Sequence, residues 1–579
     1  MQLIKVYSNQ ASFRTVEFNR TGLSFVIAKQ KNPGTSEKGK TYNGVGKSLL
    51  VRIIHFCLGA GVKDYKSFCE KLPGWEFFVD FEIGLNKYTA RRGTVEPGKI
   101  FLNNNEELSI TKFNTKMNTL CFDIPNGISF LSFRSLIPFF IRPKKESYIA
   151  YNKPAKTGSD YQALLYNVFL LGLDVFLTQK KYNIRKEQER IKKLEKNFKE
   201  DSLLRDFFTG NKDVALTLID IEERIKRLDG DLSNFRVAED YNEVQIEADE
   251  VENELFTLNN SVIMLQNNIE NISKSLKFSP DMNKETIKTI YSESKIYFPE
   301  NTTKTLDELE NFYVKLISNS KRRLLEQQNK LKLEQQNKQA DVEGLRKELD
   351  KLMQYLGEHQ ALDLFVSISN KSAELKAERD SLKKYQELQS EYKMKERQAE
   401  KNLLELNEVT ENYLKEIESD TIELRDYFRS LSKIFYPNSV AGITIDSNDG
   451  DNQLRFNIDA RIESDASDGI NNVKIFCYDL TLLFKGHNHK INFVFHDSRL
   501  FDGTDERQKT DIFKTVYQRF AGIDKQYIAT VNQNQLDEIK KYITDEEYKN
   551  LITQNTVLTL TDELDSEKLL GIKVDLGEK

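Results

Sequence analysis

The sequence predicts an α/β protein interrupted by a long antiparallel helical hairpin. Three observations carry that prediction: strand-like runs at both ends of the chain, two long proline-free runs between them, and an apolar heptad repeat in each run. Seven of the ten prolines lie between Pro33 and Pro154, and the other three are Pro280, Pro299 and Pro437. Proline breaks helix interiors, so the runs on either side of Pro280 and Pro299 are permitted long helices. Between Asp174 and Lys433 the glycines are Gly210, Gly230, Gly344 and Gly357, of which Gly210, Gly230 and Gly357 are expected to mark joints.

Periodicity turns permission into prediction. Leu218, Ile221, Ile225, Leu228, Leu232 and Phe235 alternate spacings of three and four, as do Val251, Leu255, Leu258, Val262, Leu265, Ile269, Ile272 and Leu276. Val342, Leu345, Leu349 and Leu352 repeat the pattern on the return, continued by Leu375, Leu382 and Tyr385. Such a seam, with charged and amide residues between, is that of a coiled coil. The expected organisation is an N-terminal lobe over residues 1–173, an ascending arm over 174–279, an apex over 280–304, a descending arm over 305–433 and a C-terminal lobe over 434–579.

The ends alternate differently. Residues 3–7, 13–18, 23–28, 75–83, 87–92 and 100–102 read as strands, and so do 454–458, 491–496 and 527–531. Neither end looks complete, so the two are expected to fold together, the hairpin returning the chain to its start.

Composition narrows the class. Of 579 residues, 30% are charged and 39% hydrophobic, a balance that suits much solvated helix. A net charge of -5 does not announce a nucleic-acid binder, although a local basic patch would suffice. The most apolar window, 128–141, is too short to span a bilayer and carries Arg134, and residues 1–8 lack the features of a signal peptide. Cys57, Cys69, Cys121 and Cys477 form no CxxC pair, which predicts a reducing, cytoplasmic setting and excludes a cysteine zinc site at the apex.

The strongest local signal is Asn43-Gly44-Val45-Gly46-Lys47-Ser48, preceded by the strand 23–28 and followed by an apolar helix from Leu49. Strand, glycine-rich loop and helix is the setting of a P-loop. The two glycines let backbone amides approach phosphates, Lys47 supplies a cation for the β- and γ-phosphates, Ser48 can ligate Mg²⁺, and the helix turns its positive end to the anion. Thr41 stands where the full pattern has its first glycine, and a polar insertion, 29–40, separates strand from loop. Near the other end, Ile491-Asn492-Phe493-Val494-Phe495-His496-Asp497 is an apolar strand ending in an acid, a Walker B pattern whose aspartate holds Mg²⁺. ATP and Mg²⁺ are therefore the expected cofactors.

The order P-loop, long hairpin, Walker B resembles the split heads of SMC, RecF and RecN-type ABC ATPases. It is more similar still to a bacterial family of coiled-coil ABC ATPases described as a domain of unknown function. That similarity rests on residues 43–48, on Leu170-Leu171-Gly172-Leu173-Asp174 and on His496-Asp497-Ser498-Arg499-Leu500-Phe501-Asp502-Gly503. The resemblance implies a split ABC-type P-loop head with a long coiled-coil insertion, an ABC signature at Ala466-Ser467-Asp468-Gly469-Ile470, and a homodimer in which ATP bridges two heads. Ser467 and Gly469 would then contact the γ-phosphate bound on the other copy. It also implies action on double-stranded DNA within a multi-component system, in some relatives one directed against phage or plasmids, with a further protein subunit or effector and no membrane role.

The chain departs from the pattern where hydrolysis is decided. Ser498 stands where the resemblance implies a water-activating glutamate, and serine is no general base at neutral pH unaided. Asp502, Asp505 and Glu506 are the downstream candidates. Asn532 and Gln533 stand where a histidine would sense the γ-phosphate. Lys47, Asp497, Ser498, Glu506 and Asn532 are the expected catalytic set. Asn43, Gly44, Val45, Gly46, Lys47, Ser48, Leu49, Ser467 and Gly469 would bind nucleotide, and Ser48 and Asp497 the metal. Gln162 and Phe133-Arg134-Ser135 are the candidates for the glutamine loop, and His55 is expected to be structural. Lys144-Lys145, Lys180-Lys181, Lys192-Lys193 and Lys321-Arg322-Arg323 are the basic clusters. Two readings follow: a DNA-directed ATPase, or an ATP-gated scaffold with slow or partner-dependent turnover that activates a separate effector.

Overall fold

The computed structural model describes residues 1–30, 44–103, 105–154, 158–200, 214–234, 242–277, 306–356, 359–463 and 467–574. Asn43, Thr41, Phe235, Gly210, Gly357 and the expected apex lie outside these. Along the chain come β1 (Gln2–Ser8), β2 (Val16–Glu17), β3 (Gly22–Lys29), α1 (Lys47–Cys57), β4 (Glu76–Ile83), β5 (Asn86–Gly93), β6 (Lys99–Leu102), β7 (Glu106–Ser109), α2 (Asp160–Leu170) and α3 (Val175–Glu200). The long helices are α4 (Val214–Asn234), α5 (Asn242–Lys277), α6 (Leu306–Leu356) and α7 (His359–Glu416). There follow α8 (Glu418–Phe435), β8 (Ala441–Ser447), β9 (Phe456–Ile462), α9 (Asp468–Lys485), β10 (Phe493–His496), α10 (Glu506–Phe520), β11 (Gln526–Asn532), α11 (Gln533–Ile539) and β12 (Thr556–Thr561). The fold is mixed α/β with long helices, in two compact units.

The α/β unit comprises Met1–Arg185 and Leu403–Lys579 among its segments. The expected boundaries at 173 and 433 thus fall inside it. One sheet has six strands in the order β2-β1-β4-β5-β6-β7, antiparallel throughout. Its strand β4 shows why: Phe77, Val79, Phe81 and Ile83 are buried while Glu76, Phe78, Asp80 and Glu82 alternate outward, the period-two pattern of a sheet with one wet face.

A second sheet has four strands in the order β10-β11-β3-β12, all parallel. Here β11 is buried along its whole length and β3 over Leu23–Ala28, as parallel strands covered on both faces must be. Three of the four strands come from the C-terminal segment and one from the N-terminal segment. A third, two-stranded sheet pairs β8 with β9.

Gln526 joins the two larger sheets. Its side chain accepts from the Leu3 amide at 2.8 Å and donates to the Leu3 and Asn19 carbonyls at 2.7 and 2.6 Å. It does so where β1 shifts register against β4 between Leu3 and Lys5, an irregularity that leaves ladder groups in need of another partner. The entrance to α3 explains Gly172, whose φ is +79° and whose added Cβ would lie 2.7 Å from the His487 ring.

The helical unit contains Lys186 to Ser294 and Lys304 to Asn402 among its segments. Its seams are thin. Leu218, Ile221, Ile225, Leu375 and Leu382 form one apolar cluster, and Ala248, Leu255, Leu349 and Met353 another. Polar rungs fix the antiparallel register: Gln328 to the Ile269 carbonyl, Gln335 to Gln266, Lys338 to Ser261, Ser372 to Asp229 and Lys383 to Glu222. From the first rung to the last, one arm descends from Ile269 to Glu222 while the other climbs from Gln328 to Lys383. The end of α4 and start of α5 fall between the same two rungs as the end of α6 and start of α7. Gly230, expected at a joint, lies inside α4, because a glycine costs a helix only about 1 kcal/mol and the seam residues of the preceding turns, Leu218, Ile221 and Ile225, outweigh it. Among the described residues, no helix is long and apolar enough to cross a membrane.

Candidate functional site

The C-terminal ends of β10, β11 and β3 lie side by side, with His496 opposite Ala529 and Asn532 opposite Ala28. Ligands of open parallel sheets bind at this edge. Gly44 and Gly46 arrive there with φ of +82° and +107°. A Cβ on Gly46 would lie 2.5 Å from that of Leu569, whose amide donates to the Val45 carbonyl at 2.9 Å. Glycine is therefore required at 46 by backbone conformation and by space alike. Val45 is buried and Leu49 packs against the core, so both hold the turn in place.

Gly46 caps α1 with no side-chain acceptor, and Lys47 and Ser48 open the helix. Lys47 is buried, and burial lowers its ammonium pKa to about 8 against the opposing pull of Asp497 and Asp502. The Ser48 hydroxyl donates to Asp497 Oδ2 at 2.9 Å. The other carboxylate oxygen of Asp497 accepts from Thr530 Oγ1 at 2.6 Å, and that hydroxyl oxygen accepts from the Ser498 amide at 2.9 Å. The Asp497 amide donates to the Tyr148 hydroxyl at 2.7 Å, and the Arg499 guanidinium lies 3.6 Å from Asp497. Lys47, Ser48, Asp497 and Ser498 are thus brought together from opposite ends of the chain.

Around them, Asn532 ends β11 and its amide donates to Gln535 Oε1 at 2.9 Å. Gln535 in turn donates to the Ser498 carbonyl at 3.1 Å and to Asp502 Oδ1 at 3.0 Å. Burial, and next the neighbouring charge of Asp497, raise the Asp502 pKa. Gln533 accepts from the Gln30 amide at 3.0 Å, tying the ends of β3 and β11.

Ser467 and Gly469 lie at the start of α9. Ser467 is exposed and makes no cap bond, whereas Gly469 is buried, and a Cβ on it would meet the Gly503 carbonyl at 2.6 Å. The first turn of α9 therefore docks on the loop after Asp497, helped by Asn472 donating to the Asp502 carbonyl at 2.6 Å.

Other expected residues are engaged elsewhere. Glu506 is paired with Lys541 at 2.7 Å and Tyr542 at 3.3 Å, and the Lys541 hydrogen bond lowers its pKa, the wrong direction for a base. Asp505 caps α10 through Gln508. Gln162 accepts from the Gly158 amide, and Arg134 donates to His55 Nε2 at 2.5 Å. His55 is buried, held neutral chiefly by burial, with Nδ1 2.8 Å from the Tyr65 hydroxyl, in keeping with a structural role. Tyr148, which no motif flagged, takes the place beside Asp497. Thr530 did leave a signal, a hydroxyl within an otherwise apolar strand. Of the basic clusters, Lys144 pairs with Asp64 at 2.9 Å and Lys181 is buried against Asn448, while Lys145, Lys180, Lys192, Lys193 and Lys321 to Arg323 are exposed. Among the described residues, no group of three or more His, Cys, Asp or Glu side chains is placed to hold a metal by itself.

The site is that of a mixed α/β protein with long helices. Residues 431–574 match the model of a family described as "Uncharacterised protein conserved in bacteria (DUF2326)", in keeping with the resemblance to a bacterial coiled-coil family of unknown function. The chain is similar to the uncharacterized protein YydD of Bacillus subtilis (strain 168), 22% identical over 569 residues that cover 92% of this chain and 93% of that one. Among solved structures it is similar to the Smc head domain with a coiled coil and joint derived from Pyrococcus yayanosii, at 13% identity and a TM-score of 0.38, covering 98% of each chain.

Proposed function

We propose that this chain is an SMC-like ATPase with a split P-loop head: it binds Mg-ATP at the α/β unit and turns it over slowly. The observation that carries the reading is the 2.9 Å hydrogen bond from Ser48 to Asp497, which joins the helix start after β3 to the acid that follows β10, two strands along in the same parallel sheet. The residues fit the ligand. Gly44, Gly46 and the open start of α1 suit phosphate, buried Lys47 lacks the solvent that would otherwise compensate its charge, and Ser48 and Asp497 are hard oxygen ligands for Mg²⁺. Bound Mg²⁺ would supply charge neutralisation at the phosphates. The protein's part is to hold the anion on backbone amides and Lys47 and to fix the carboxylate through Thr530 and Tyr148.

Slow turnover follows from what flanks Asp497. Ser498 is buried with its amide spent on Thr530, and Glu506 is held by Lys541. Asp502, whose pKa is raised, is the carboxyl group better suited to accept a proton. Two copies would sandwich ATP between Lys47 of one and Ser467 and Gly469 of the other. The chain would then serve as an ATP-gated scaffold for a partner protein in the cytoplasm, with duplex DNA as the candidate trigger.

The test is steady-state ATP hydrolysis and ATP binding, with and without duplex DNA, for the wild-type chain and Lys47→Ala. Binding that the substitution weakens about 100-fold, with turnover below about 1 per second, is the expected result, since ordinary enzymes run at about 1 per second or faster. Binding unchanged by Lys47→Ala would sink the reading, and turnover that duplex DNA leaves unaltered would remove DNA as trigger.

A further inference from the structure

Arg142, Asp479 and His496 form a fully buried polar chain beneath the site. Arg142 uses every donor it has. Nε and Nη2 bind the two oxygens of Asp479 at 2.5 and 2.6 Å, Nη2 also binds the Tyr151 carbonyl at 2.8 Å, and Nη1 binds the carbonyls of Ser147 and, at 3.2 Å, Ala150. The Asp479 oxygen held by Nε also lies 3.0 Å from His496 Nε2, and His496 Nδ1 lies 3.2 Å from the Tyr527 hydroxyl. A carboxylate only accepts, so His496 carries its proton on Nε2 and accepts from Tyr527 at Nδ1.

Two routes lead from this guanidinium to one peptide. Through Asp479 and His496 it reaches the residue that precedes Asp497. Through the carbonyls of Ser147, Ala150 and Tyr151 it shapes the turn carrying Tyr148, whose hydroxyl accepts from the Asp497 amide at 2.7 Å. The network also enters α9, since Asp479 is one of its residues and Asn471, in its first turn, donates to the Ile149 carbonyl at 3.1 Å. Stability does not explain it. A buried ion pair often contributes no more than apolar residues of similar volume, because desolvation offsets the attraction. Arg142 moreover sits at φ of +34°, a conformation unfavourable for a residue with a Cβ. Groups behind a metal ligand earn such placement by orienting it.

We propose that Arg142, Asp479 and His496 are positioning residues that set the Asp497 carboxylate for Mg²⁺ and tie it to α9. The proposal rests on the ATP reading of the site, and its test separates the two. The affinity of a non-hydrolysable ATP analogue is measured with Mg²⁺ and with EDTA for the full-length wild type, Lys47→Ala, Asp479→Asn, His496→Phe, His496→Gln and Tyr148→Phe, with thermal melting to report folding.

The ratio of the two affinities isolates what Asp497 and Mg²⁺ contribute. Asp479→Asn and His496→Phe are expected to cut that ratio about tenfold or more while leaving EDTA binding within about threefold, the range seen when outer partners of a metal ligand are removed. His496→Gln, which can still donate to Asp479, should restore most of it. Tyr148→Phe removes one acceptor without touching the ion pair, and so carries the test if the others do not fold. An unchanged ratio in Tyr148→Phe and in every folded network variant would overturn the proposal, as would a wild type that binds the analogue with no Mg²⁺ dependence. A wild type that does not bind the analogue, or a Lys47→Ala that binds it equally well, would instead overturn the ATP reading on which the proposal stands.

Discussion

The two larger sheets of the α/β unit are built on opposite plans. The antiparallel sheet takes all six strands from one stretch, Gln2 to Ser109, so its longest-range pairing, Gln2 with Glu82, still stays within that stretch. The parallel sheet takes β3 from that stretch and β10, β11 and β12 from residues 493–561. The candidate site stands on the second sheet, at a place that exists only when both ends of the chain have met. Local pairing makes a scaffold early, since short loops cost little to close, and long-range pairing makes the site conditional on the whole.

The largest effect would come from breaking the parallel sheet outright. A fragment of residues 1–190 keeps the whole antiparallel sheet but a single parallel strand, with Leu23, Phe25, Val26 and Ile27 stripped of their neighbours. It should show no cooperative melting alone and regain it when co-expressed with residues 400–579. A fragment that melts cooperatively by itself would refute the contrast.

Next comes Lys47→Ala, which touches the site and neither sheet. It should weaken ATP binding about 100-fold, as losing one partner of a desolvated charge contact does, with the melting temperature nearly unchanged. Isothermal titration and melting of the same samples would decide this. Third is Gln526→Ala, which cuts the stitch between the sheets. Two backbone groups of Leu3 would be left buried and unpaired, so the loss should be about 3 kcal/mol in denaturant unfolding. A loss below about 0.5 kcal/mol would mean that the sheets are held by apolar packing alone.

The smallest effect tests the two-stranded sheet, local in sequence but pinned by a distant residue. Lys181 Nζ donates to the Asn448 carbonyl, and burial lowers its pKa from 10.5 to about 8. A lysine whose folded pKa is depressed stays protonated longer in the unfolded chain, so the unfolded state binds more protons between those values and folding stability rises with pH there. Wild type should therefore gain stability relative to Lys181→Met as pH goes from about 8 to about 10. Parallel curves for the two proteins would show that Lys181 does not titrate in that window.

Much of this architecture was legible. The seam residues Leu218 to Leu228 and Leu255 to Ile269 read correctly as coil because heptads recur at a fixed spacing, and β4 and β5 read as strands because their faces alternate. β7, β8 and β12 went unread: Thr556–Thr561 mixes threonines with apolar residues over too few positions to stand out, and only its pairing with β3 makes it a strand. At the site, glycines with a backbone reason were visible, because Gly46 and Gly469 are the residues that fit. Tyr148 and the Arg142 network were not, since they act through contacts that folding creates between distant segments, and Thr530 showed only as a hydroxyl in a strand, without its partners. Glu506 was named for its charge and proximity in sequence, and Lys541 takes up that charge.

The rungs of the helical unit carry a last consequence. Because the arms advance past each other nearly residue for residue, their lengths are correlated quantities, like the two legs of a ladder. Removing about two turns, roughly seven residues, from α5 alone would slide every rung beyond the cut by that amount. Removing the same length from α5 and from the facing part of α6 would shorten the ladder and leave its remaining steps level. Evolution can therefore lengthen or shorten these arms in matched pairs of edits, one in each of two facing helices, without moving the remaining rungs.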